Sequence, residues 1–239
     1  MSRQVNKKLQ RWILQLLLIG IPGILWWGGV QFRSAVFHPY CLESPEKCTP
    51  ETLLPIDRLS VGMEDDHADG YSFQVQNFSG ALAVGAPLLW QTLRFVTTRS
   101  PTVLTEALTD LSLVLQATTW NGFFTELARW IVQRPRPFVY THPLERGKDP
   151  AHYTSFYSGH TSFTAASSFI LFLIFWRRKA PAWMQVLAFL STEALVISVA
   201  YFRILAGRHF LTDVLAGAMA GSLVAYFAFL IQNRLPKSK

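Results

Sequence analysis

The stretch WILQLLLIGIPGILWWGGVQF, residues Trp12 to Phe32, carries no charged side chain. A helix of about 20 apolar residues is long enough to cross the roughly 30 Å hydrocarbon core of a bilayer. Basic residues precede this run, which leaves a cleaved signal peptide as an alternative. The length of the run and the Trp26-Trp27 pair, which is typical of a membrane interface, favour a transmembrane helix.

The rest of the chain is also rich in long apolar runs. Half of the 239 residues are hydrophobic and only 15% are charged, a low share for a soluble domain. Because backbone groups in lipid must be satisfied within the segment, each run is predicted to be helical. Further candidate spans are Phe78–Leu93, Thr102–Trp130, Thr161–Trp176, Trp183–Phe202 and Phe210–Gln232. The sequence therefore predicts one all-α domain over residues 1–239, a polytopic bundle of six transmembrane helices.

Charge is distributed unevenly between the predicted loops. With the N-terminus in the cytoplasm, the cytoplasmic segments contain basic residues and no acidic residue, whereas the outer segments mix both. Those cytoplasmic residues are Arg3, Lys7, Lys8, Arg11, Arg94, Arg99, Arg177, Arg178, Lys179, Arg234, Lys237 and Lys239. The positive-inside rule thus favours cytoplasmic termini, which we expect in a bacterial inner membrane. The formal net charge of +7 then requires no nucleic-acid partner.

The first outer loop is predicted to cover residues 33–77 and contains both cysteines, Cys41 and Cys48. In an oxidising compartment we expect a disulfide between them. Two free or metal-binding thiols are the alternative, although no CxxC spacing is present. The loop also carries the acidic run Glu64-Asp65-Asp66, and it could form either a lid that selects substrates or a solvated cap.

Three outer segments combine arginine, histidine and small residues where a predicted helix meets water. They are residues 129–137, 157–160 and 203–213. A guanidinium group binds phosphate oxygens in a bidentate manner and keeps its proton, so Arg129, Arg136 and Arg203 are candidate phosphate ligands. Each arginine alone could be a lipid-headgroup anchor. The convergence of all three segments on one membrane face favours a functional site.

The same segments contain candidates for the chemistry. Ser158 and Gly159 precede the fourth span and would add a hydroxyl and backbone N–H groups to a phosphate site. His209 and Asp213 are four residues apart, so they share a helix face, and Asp213 would fix the tautomer of a nucleophilic imidazole. His160 would protonate the departing alkoxide and later activate water. No metal or other cofactor is needed in this scheme.

These motifs resemble those of the phosphatidic acid phosphatase type 2 superfamily, which also includes vanadium haloperoxidases. The family pattern is Lys-x6-Arg-Pro, Pro-Ser-Gly-His and Ser-Arg-x5-His-x3-Asp. Here it reads Arg129-x6-Arg136-Pro137, Tyr157-Ser158-Gly159-His160 and Phe202-Arg203-x5-His209-x3-Asp213. The chain departs from the pattern at three positions, where Arg129 replaces lysine, Tyr157 replaces proline and Phe202 replaces serine.

The resemblance implies a six-helix core with its catalytic part in residues 129–232. It implies that His209 is the nucleophile, that Asp213 orients it and that His160 is the general acid. The phosphate ligands that it implies are Arg129, Arg136, Ser158, Gly159 and Arg203.

The residues and the resemblance together predict a membrane lipid phosphatase. It would hydrolyse a phosphomonoester or pyrophosphate at the outer leaflet through a phosphohistidine. Phosphatidic acid, phosphatidylglycerol phosphate, undecaprenyl pyrophosphate and a lipid A phosphate are candidate substrates. The alternatives are a lipid phosphotransferase of the same superfamily and a non-catalytic carrier or transporter of lipid headgroups. A haloperoxidase is disfavoured because those family members are typically soluble. The sequence does not determine the oligomeric state.

Residues beside the motifs allow two interpretations each. Arg134 and Arg208 could contact a second phosphate or pair with acidic residues of the outer loop. Gly217 and Gly221 form a stripe of small residues on the sixth span, for packing within the chain or against a second copy. Glu193 lies in the middle of the fifth span, where we expect it neutral or hydrogen-bonded inside the bundle.

Overall fold

The computed structural model describes residues 2–235, with side chains from residue 9 onward, and within this range the chain forms helices and no β-strand. The side chains of Arg3, Lys7 and Lys8, as well as Lys237 and Lys239, lie outside the described part. The six long helices are α1 (Ser2–Gln31), α2 (Asp66–Thr98), α3 (Thr102–Val132), α4 (Gly159–Arg177), α5 (Ala182–Leu205) and α6 (Leu211–Arg234).

Four of these helices are long and apolar enough to cross a membrane, namely α1 from Leu9 onward, α4, α5 and α6. The all-α membrane architecture is confirmed at this level. Helices α2 and α3 are longer still but contain more charged side chains. Helix α2 begins at Asp66 and not near Phe78, so the outer loop predicted for residues 33–77 ends earlier than expected. The added turns of α2 bring acidic side chains to the end of the bundle where α2 begins.

Helix α4 lies at the centre of the bundle and packs against α2, α3, α5 and α6, whereas α1 packs mainly on α3. Its buried apolar side chains include Ile170, Leu173 and Ile174. They form a core with Leu113 of α3 and Phe229 of α6. Because α4 contacts four neighbours, its position fixes where their ends lie.

The glycine stripe of α6 faces α4. A Cβ atom at Gly221 would lie 2.1 Å from the carbonyl oxygen of Ser162, and one at Gly217 would lie 2.7 Å from that of Ser158. Both contacts are within the chain, so the structure places the stripe in intramolecular packing. The close approach brings the first turn of α6 beside the first turn of α4.

Charged side chains within α3 have partners in the bundle. Glu126 accepts hydrogen bonds from both Arg33 Nε and Arg33 Nη2, in a bidentate pair. Asp110 accepts hydrogen bonds from Arg177 Nη2 at 2.6 Å and from Arg178 Nη2 at 2.9 Å. Pairing offsets the cost of removing these charges from water.

Glu193 does not follow the prediction that it lies inside the bundle. Its side chain is on the exposed face of α5. The buried residues of α5, among them Ala188, Thr192 and Val199, lie on the face that packs against the bundle. The next position along the helix is rotated by about 100° from Thr192, which turns Glu193 away from that face.

The outer segment between α1 and α2 packs against the rest of the molecule. It consists of the short helical turns Arg33–Val36, Tyr40–Glu43, Pro45–Cys48, Pro50–Thr52 and Pro55–Arg58. The predicted disulfide joins Cys41 and Cys48. The backbone N–H of Cys41 donates to the buried hydroxyl of Tyr153 at 3.0 Å, and Tyr153 donates to the carbonyl oxygen of Gly147 at 2.9 Å. The segment is therefore a packed cap and not a freely solvated loop.

We expect Gly221→Ala to lower the free energy of unfolding by about 1–3 kcal/mol, because the added methyl group overlaps the α4 backbone. Thermal unfolding of the purified protein in detergent measures the effect. Gly85→Ala is the matched control, since a Cβ atom there meets no heavy atom within 4 Å. The control should be neutral or stabilising by up to about 1 kcal/mol. Equal stability of both variants would contradict close packing of α6 on α4.

Candidate functional site

The three motif segments meet at one end of the bundle because of where the helices begin and end. Helix α3 ends at Val132, after which Gln133 adopts a left-handed conformation and Pro135 and Pro137 prevent further helix. Helix α4 begins at this same end, and the α5–α6 connection lies beside it. All eight residues predicted for the site are therefore found at one end of the molecule.

The α5–α6 connection folds back so that His209 points into the protein. Gly207 has a φ of +62°, a left-handed conformation that glycine adopts without strain. The backbone N–H groups of Arg208 and His209 both donate to the carbonyl oxygen of Arg203, at 3.1 and 3.3 Å. As a result, His209 is only 1% exposed and is held close to the end of α5.

The tautomer of His209 follows from its hydrogen bond. Nδ1 lies 2.7 Å from the carbonyl oxygen of Ser155. A carbonyl oxygen only accepts hydrogen bonds, so Nδ1 carries the proton and donates it. In the neutral ring, Nε2 is then left with a free lone pair. This is the arrangement that a nucleophilic imidazole requires.

Asp213 is completely buried and holds the segments together. Its carboxylate accepts hydrogen bonds from Ser155 Oγ at 2.5 Å, from Arg134 Nη1 at 2.7 Å and from the backbone N–H of Phe210 at 3.0 Å. Its backbone carbonyl accepts from the N–H of Ser158 at 3.1 Å. Asp213 thus contacts the segment after α3, the segment before α4 and the start of α6.

The direct hydrogen bond predicted between Asp213 and His209 is not formed. Asp213 Oδ2 lies 3.8 Å from His209 Nδ1, beyond hydrogen-bond distance. The reason is that Ser155 lies between them, donating its hydroxyl to Asp213 and accepting from His209 with its carbonyl oxygen. Asp213 therefore orients His209 through Ser155.

The three predicted arginine ligands are buried or nearly buried, and each has a limited set of partners. Arg136 Nη2 donates to Thr154 Oγ1 at 3.0 Å, and Arg129 Nη1 lies 3.5 Å from a carboxylate oxygen of Glu126. Arg203 Nη1 donates to Asp69 and, at 3.2 Å, to a serine hydroxyl of α2. In the described part of the chain, the Nε atom of each arginine is buried and has no hydrogen-bond partner.

The start of α4 brings the second motif to these arginines. Ser158 caps the helix, its Oγ accepting from the backbone N–H of Thr161 at 3.4 Å. A Cβ atom at Gly159 would lie 2.6 Å from Arg129 Nη2, so glycine allows the guanidinium group to approach the helix start. His160 packs edge-on against the ring of Phe73, with centroids 4.4 Å apart. Its Nε2 is buried and also unpartnered among the residues that the structure describes.

Burial lowers the pKa of His209 well below its usual value, and the positive charges of Arg203, Arg136 and Arg129 lower it further. The imidazole is therefore neutral near pH 7. The pKa of Arg136 is lowered to about 9 by burial and by Arg203, Arg129 and Arg208. Both shifts arise from positive charge concentrated in a buried place. A phosphate group entering there would supply the opposite charge.

Several residues that the sequence did not single out support the site. Asp57, from the outer cap, is buried and accepts from Arg134 Nη2 at 2.8 Å and from the backbone N–H of Thr212 at 3.0 Å. Ser155 and Thr154 hold His209 and Arg136, as described above. The sequence shows Asp57 as an acidic residue of the first loop, but the contacts of Asp57 and Ser155 depend on the tertiary fold. They could not be read from spacing.

The two flanking arginines pair with acidic side chains. Arg134 bridges Asp57 and Asp213 and lies over the Phe210 ring, 4.0 Å from its centroid. Arg208 Nη2 donates to Asp69 Oδ2 at 2.9 Å. Asp69 therefore joins Arg208 to Arg203. The sequence left two roles open for Arg134 and Arg208, and in the structure both arginines pair with acidic residues.

A model of the PAP2 superfamily matches residues 110–237, more than half of the chain. The chain belongs to the PAP2 superfamily. The match contains all three motif segments and the whole of α4, α5 and α6. The family assignment made from the motifs is thereby confirmed.

A curated relative is the undecaprenyl-diphosphatase of Sulfolobus acidocaldarius, which is 27% identical over 114 residues. The alignment covers 48% of this chain and 51% of the relative, so the chain spans about half the length of the curated protein that it matches. No solved structure matches the chain.

Burial and the neighbouring arginines lead us to expect that His209 stays neutral from about pH 5.5 to 8, and its hydrogen bond to Ser155 predicts that the proton is on Nδ1. Nuclear magnetic resonance of the protein labelled with ¹⁵N-histidine reports both the tautomer and its titration. The spectrum of His209→Gln assigns the signal, and the exposed His142 provides an internal comparison. Protonation of His209 with a midpoint near 6.5, or a proton on Nε2, would contradict the described orientation.

Loss of the Asp57 carboxylate should destabilise the site. Asp57→Asn leaves Arg134 with one charged partner instead of two, and we expect the free energy of unfolding to fall by about 3 kcal/mol. Asp149→Asn removes a charge from an exposed carboxylate of the outer surface and should change it by less than about 1 kcal/mol. Unfolding of both variants in detergent provides the comparison. Similar free energies of unfolding for the two variants would show that the contacts of Asp57 contribute little to stability.

Proposed function

We propose that this protein is a membrane lipid phosphatase that cleaves a phosphomonoester or diphosphate of a lipid through a covalent phosphohistidine on His209. The PAP2 family match and the name of the curated relative support phosphatase activity toward a lipid. Undecaprenyl diphosphate is therefore among the candidate substrates, beside phosphatidic acid, phosphatidylglycerol phosphate and a lipid A phosphate.

One observation carries the proposal. Four buried N–H or ring nitrogen groups near His209 lack partners within the described residues, namely Nε of Arg129, Arg136 and Arg203 and Nε2 of His160. Buried polar groups are nearly always hydrogen-bonded, and an exception calls for an explanation. A phosphate group supplies several acceptor oxygens and negative charge at once. It would satisfy these donors and offset the positive charge of the arginines.

The first chemical step uses His209 as the nucleophile. Its Nε2 lone pair attacks phosphorus, a nitrogen–phosphorus bond forms, and the bond from phosphorus to the leaving oxygen breaks. His160 gives its proton to the leaving oxygen, so that the lipid departs as an alcohol or as a monophosphate. The negative charge of the bound substrate stabilises a protonated His160 beside the arginines. Arg129, Arg136 and Arg203 stabilise the charge on the transferring phosphoryl oxygens.

The second step returns the enzyme to its starting state. His160, now neutral, accepts a proton from a water molecule as that water attacks phosphorus. The nitrogen–phosphorus bond breaks, inorganic phosphate leaves, and Nε2 of His209 regains its lone pair. Throughout both steps, Nδ1 keeps its proton and its hydrogen bond to Ser155, which stabilises the positive charge that develops on the ring. The scheme requires no metal.

Aromatic side chains beside the site support a lipid as the substrate. Phe73, which packs against His160, is 48% exposed, and Tyr71 is exposed to a similar extent. Tyr71 packs against Phe202, the residue before Arg203, with ring centroids 5.5 Å apart. Exposed aromatic rings of this kind are typical of membrane interfaces. A lipid phosphate could thus enter from the side with its hydrocarbon chain along these rings.

The orientation in the membrane is part of the proposal. We infer that all six long helices cross the bilayer, that both termini are cytoplasmic and that the site faces the periplasm or exterior at the outer leaflet. The charge distribution supports this orientation, and so does the Cys41–Cys48 disulfide of the cap, which requires an oxidising compartment.

Removal of the nucleophile should abolish hydrolysis. We expect His209→Ala to lower phosphate release from lipid substrates by roughly 10⁴-fold or more. His142→Ala, which removes an exposed histidine of the outer surface, should retain full activity. The measurement is phosphate release from a panel of the four candidate lipids. A headgroup carrier would release no phosphate in any form, and equal release by both variants would overturn the role of His209.

The two roles of His160 can be separated with a good leaving group. With p-nitrophenyl phosphate the first step needs little acid assistance, whereas water attack still requires a base. We therefore expect His160→Ala to release nitrophenol in a burst and to accumulate an acid-labile phosphoprotein. Acid-stable label, or label that persists in His209→Ala, would contradict the phosphohistidine. Transfer of label to an added lipid alcohol would identify a phosphotransferase.

If the exposed rings of Phe73 and Tyr71 contact the hydrocarbon chain of the substrate, the loss of Phe73 should affect lipid and soluble substrates differently. Phe73→Ala should raise KM for a long-chain lipid phosphate about tenfold, since the ring buries apolar area against the chain. It should change hydrolysis of p-nitrophenyl phosphate by less than about threefold. Phe78→Ala, which removes another exposed ring of the same helix, is the control. An equal loss of activity toward both substrates would mean that Phe73 acts only by supporting His160.

A further inference from the structure

A polar cavity lies at the end of the bundle opposite His209. It has a volume of about 530 Å³ and opens between the ends of α1, α3, α4 and α6. Its lining includes Arg11, Glu106, Arg177, Arg178 and Gln232. Along α3, the distance from Glu106 to Arg129 of the active site is about 35 Å, at a rise of 1.5 Å per residue. The two sites are therefore about one membrane thickness apart.

The charges around this cavity do not balance. Asp110 is shared by Arg177 and Arg178, and Glu106 is shared by Arg178 and Arg94. Arg11 also lines the cavity and donates to Thr109 Oγ1 at 3.5 Å. Among the paired side chains that the structure describes here, Arg94, Arg177 and Arg178 share the two carboxylates, so positive charge is in excess by one. An excess of positive charge in a cavity favours an anionic ligand.

Two buried donors in the cavity wall also point to a ligand. Gln232 is 3% exposed; its Oε1 accepts from Gln116, while its Nε2 has no partner among the described residues. Arg177 Nε is likewise buried and unpartnered there. Asp110 already binds the Nη2 atom of Arg177, so this residue can still offer Nε–H to a second acceptor. Phosphate oxygens would satisfy both donors.

The surroundings of the cavity indicate a lipid as the source of the phosphate. Leu9 of α1 and Leu104 of α3 lie close in sequence to lining residues at the same helix ends, and each is more than half exposed. Apolar side chains beside a basic pocket at a membrane face fit acyl chains next to a headgroup. A soluble anion would gain nothing from these residues.

We propose that this cavity binds the phosphate headgroup of an anionic phospholipid from the leaflet opposite the active site. The phosphodiester would accept hydrogen bonds from Gln232 and Arg177, and its charge would offset that of the arginine cluster. The site is distinct from the phosphatase site and its occupancy does not depend on catalysis. A bound lipid would hold the ends of four helices together.

Binding of phosphatidylglycerol to the purified full-length protein tests the proposal. This lipid is a phosphodiester, so it lacks the terminal phosphate group that the proposed enzyme would remove. Native mass spectrometry and the thermal unfolding midpoint in detergent report retention and stabilisation. We expect phosphatidylglycerol to be retained and to raise the midpoint, and phosphatidylcholine at equal concentration to do neither.

Variants assign the binding to the cavity. Arg11→Gln should raise the phosphatidylglycerol concentration needed for half of the stabilisation by about tenfold. Gln232→Glu, which keeps an acceptor for Gln116 and adds a competing carboxylate, should do the same. Arg99→Gln removes a positive charge from the same end of the bundle outside the cavity, and it should change the value less than twofold. The active site is unaltered in all three variants.

The contrary outcomes are distinct. Equal weakening by Arg11→Gln and Arg99→Gln would show general surface attraction and would overturn the proposal. Equal stabilisation by phosphatidylcholine would do so as well. If glycerol 3-phosphate or inorganic phosphate stabilises the unaltered chain as strongly as the lipid, and Arg11→Gln weakens that effect, the ligand is a soluble phosphate and not a lipid.

Discussion

The buried carboxylate of Asp213 is the interaction on which the site depends. It accepts hydrogen bonds from Ser155, Arg134 and the backbone of Phe210, and these groups belong to three different segments that meet beside His209. A buried charge without partners costs several kcal/mol, so the segments are held where they can supply donors. The carboxylate holds Ser155, whose carbonyl oxygen accepts from His209 Nδ1, and so it contributes to the orientation of the imidazole. The orientation of His209, the proposed nucleophile, thus depends on contacts between segments that are distant in sequence.

The same need to pair buried charges explains how the other segments at this end of the bundle are held. The cap between α1 and α2 provides Asp57, which completes the environment of Arg134 and binds the first turn of α6. The extended start of α2 provides Asp69, which holds Arg203 and Arg208. Acidic residues that would repel a phosphate are thereby each committed to an arginine. The unpartnered Nε atoms of the site arginines remain available for a ligand.

The sequence predicted the features that depend on local pattern. Apolar runs indicated the long helices, loop position indicated the Cys41–Cys48 disulfide, and motif spacing indicated which end of each helix carries the site. It could not predict contacts that arise between distant segments. Ser155 acts through its backbone carbonyl, which has no residue-specific signal, and the helical start of α2 at Asp66 lies in a polar stretch without apolar periodicity. Glu193 was misplaced because hydropathy gives the depth of a residue in a span but not the helix face that it occupies.

The central proposal is that His209 Nε2 and the three site arginines act on the same phosphoryl group. Orthovanadate is a suitable probe, because it adopts the five-coordinate geometry of a transferring phosphoryl group. An experimental structure with vanadate should place vanadium in a bond with His209 Nε2. Its oxygens should lie about 3 Å from guanidinium nitrogens of Arg129, Arg136 and Arg203. Vanadate bound to another residue, or bound without contact to these arginines, would contradict the account.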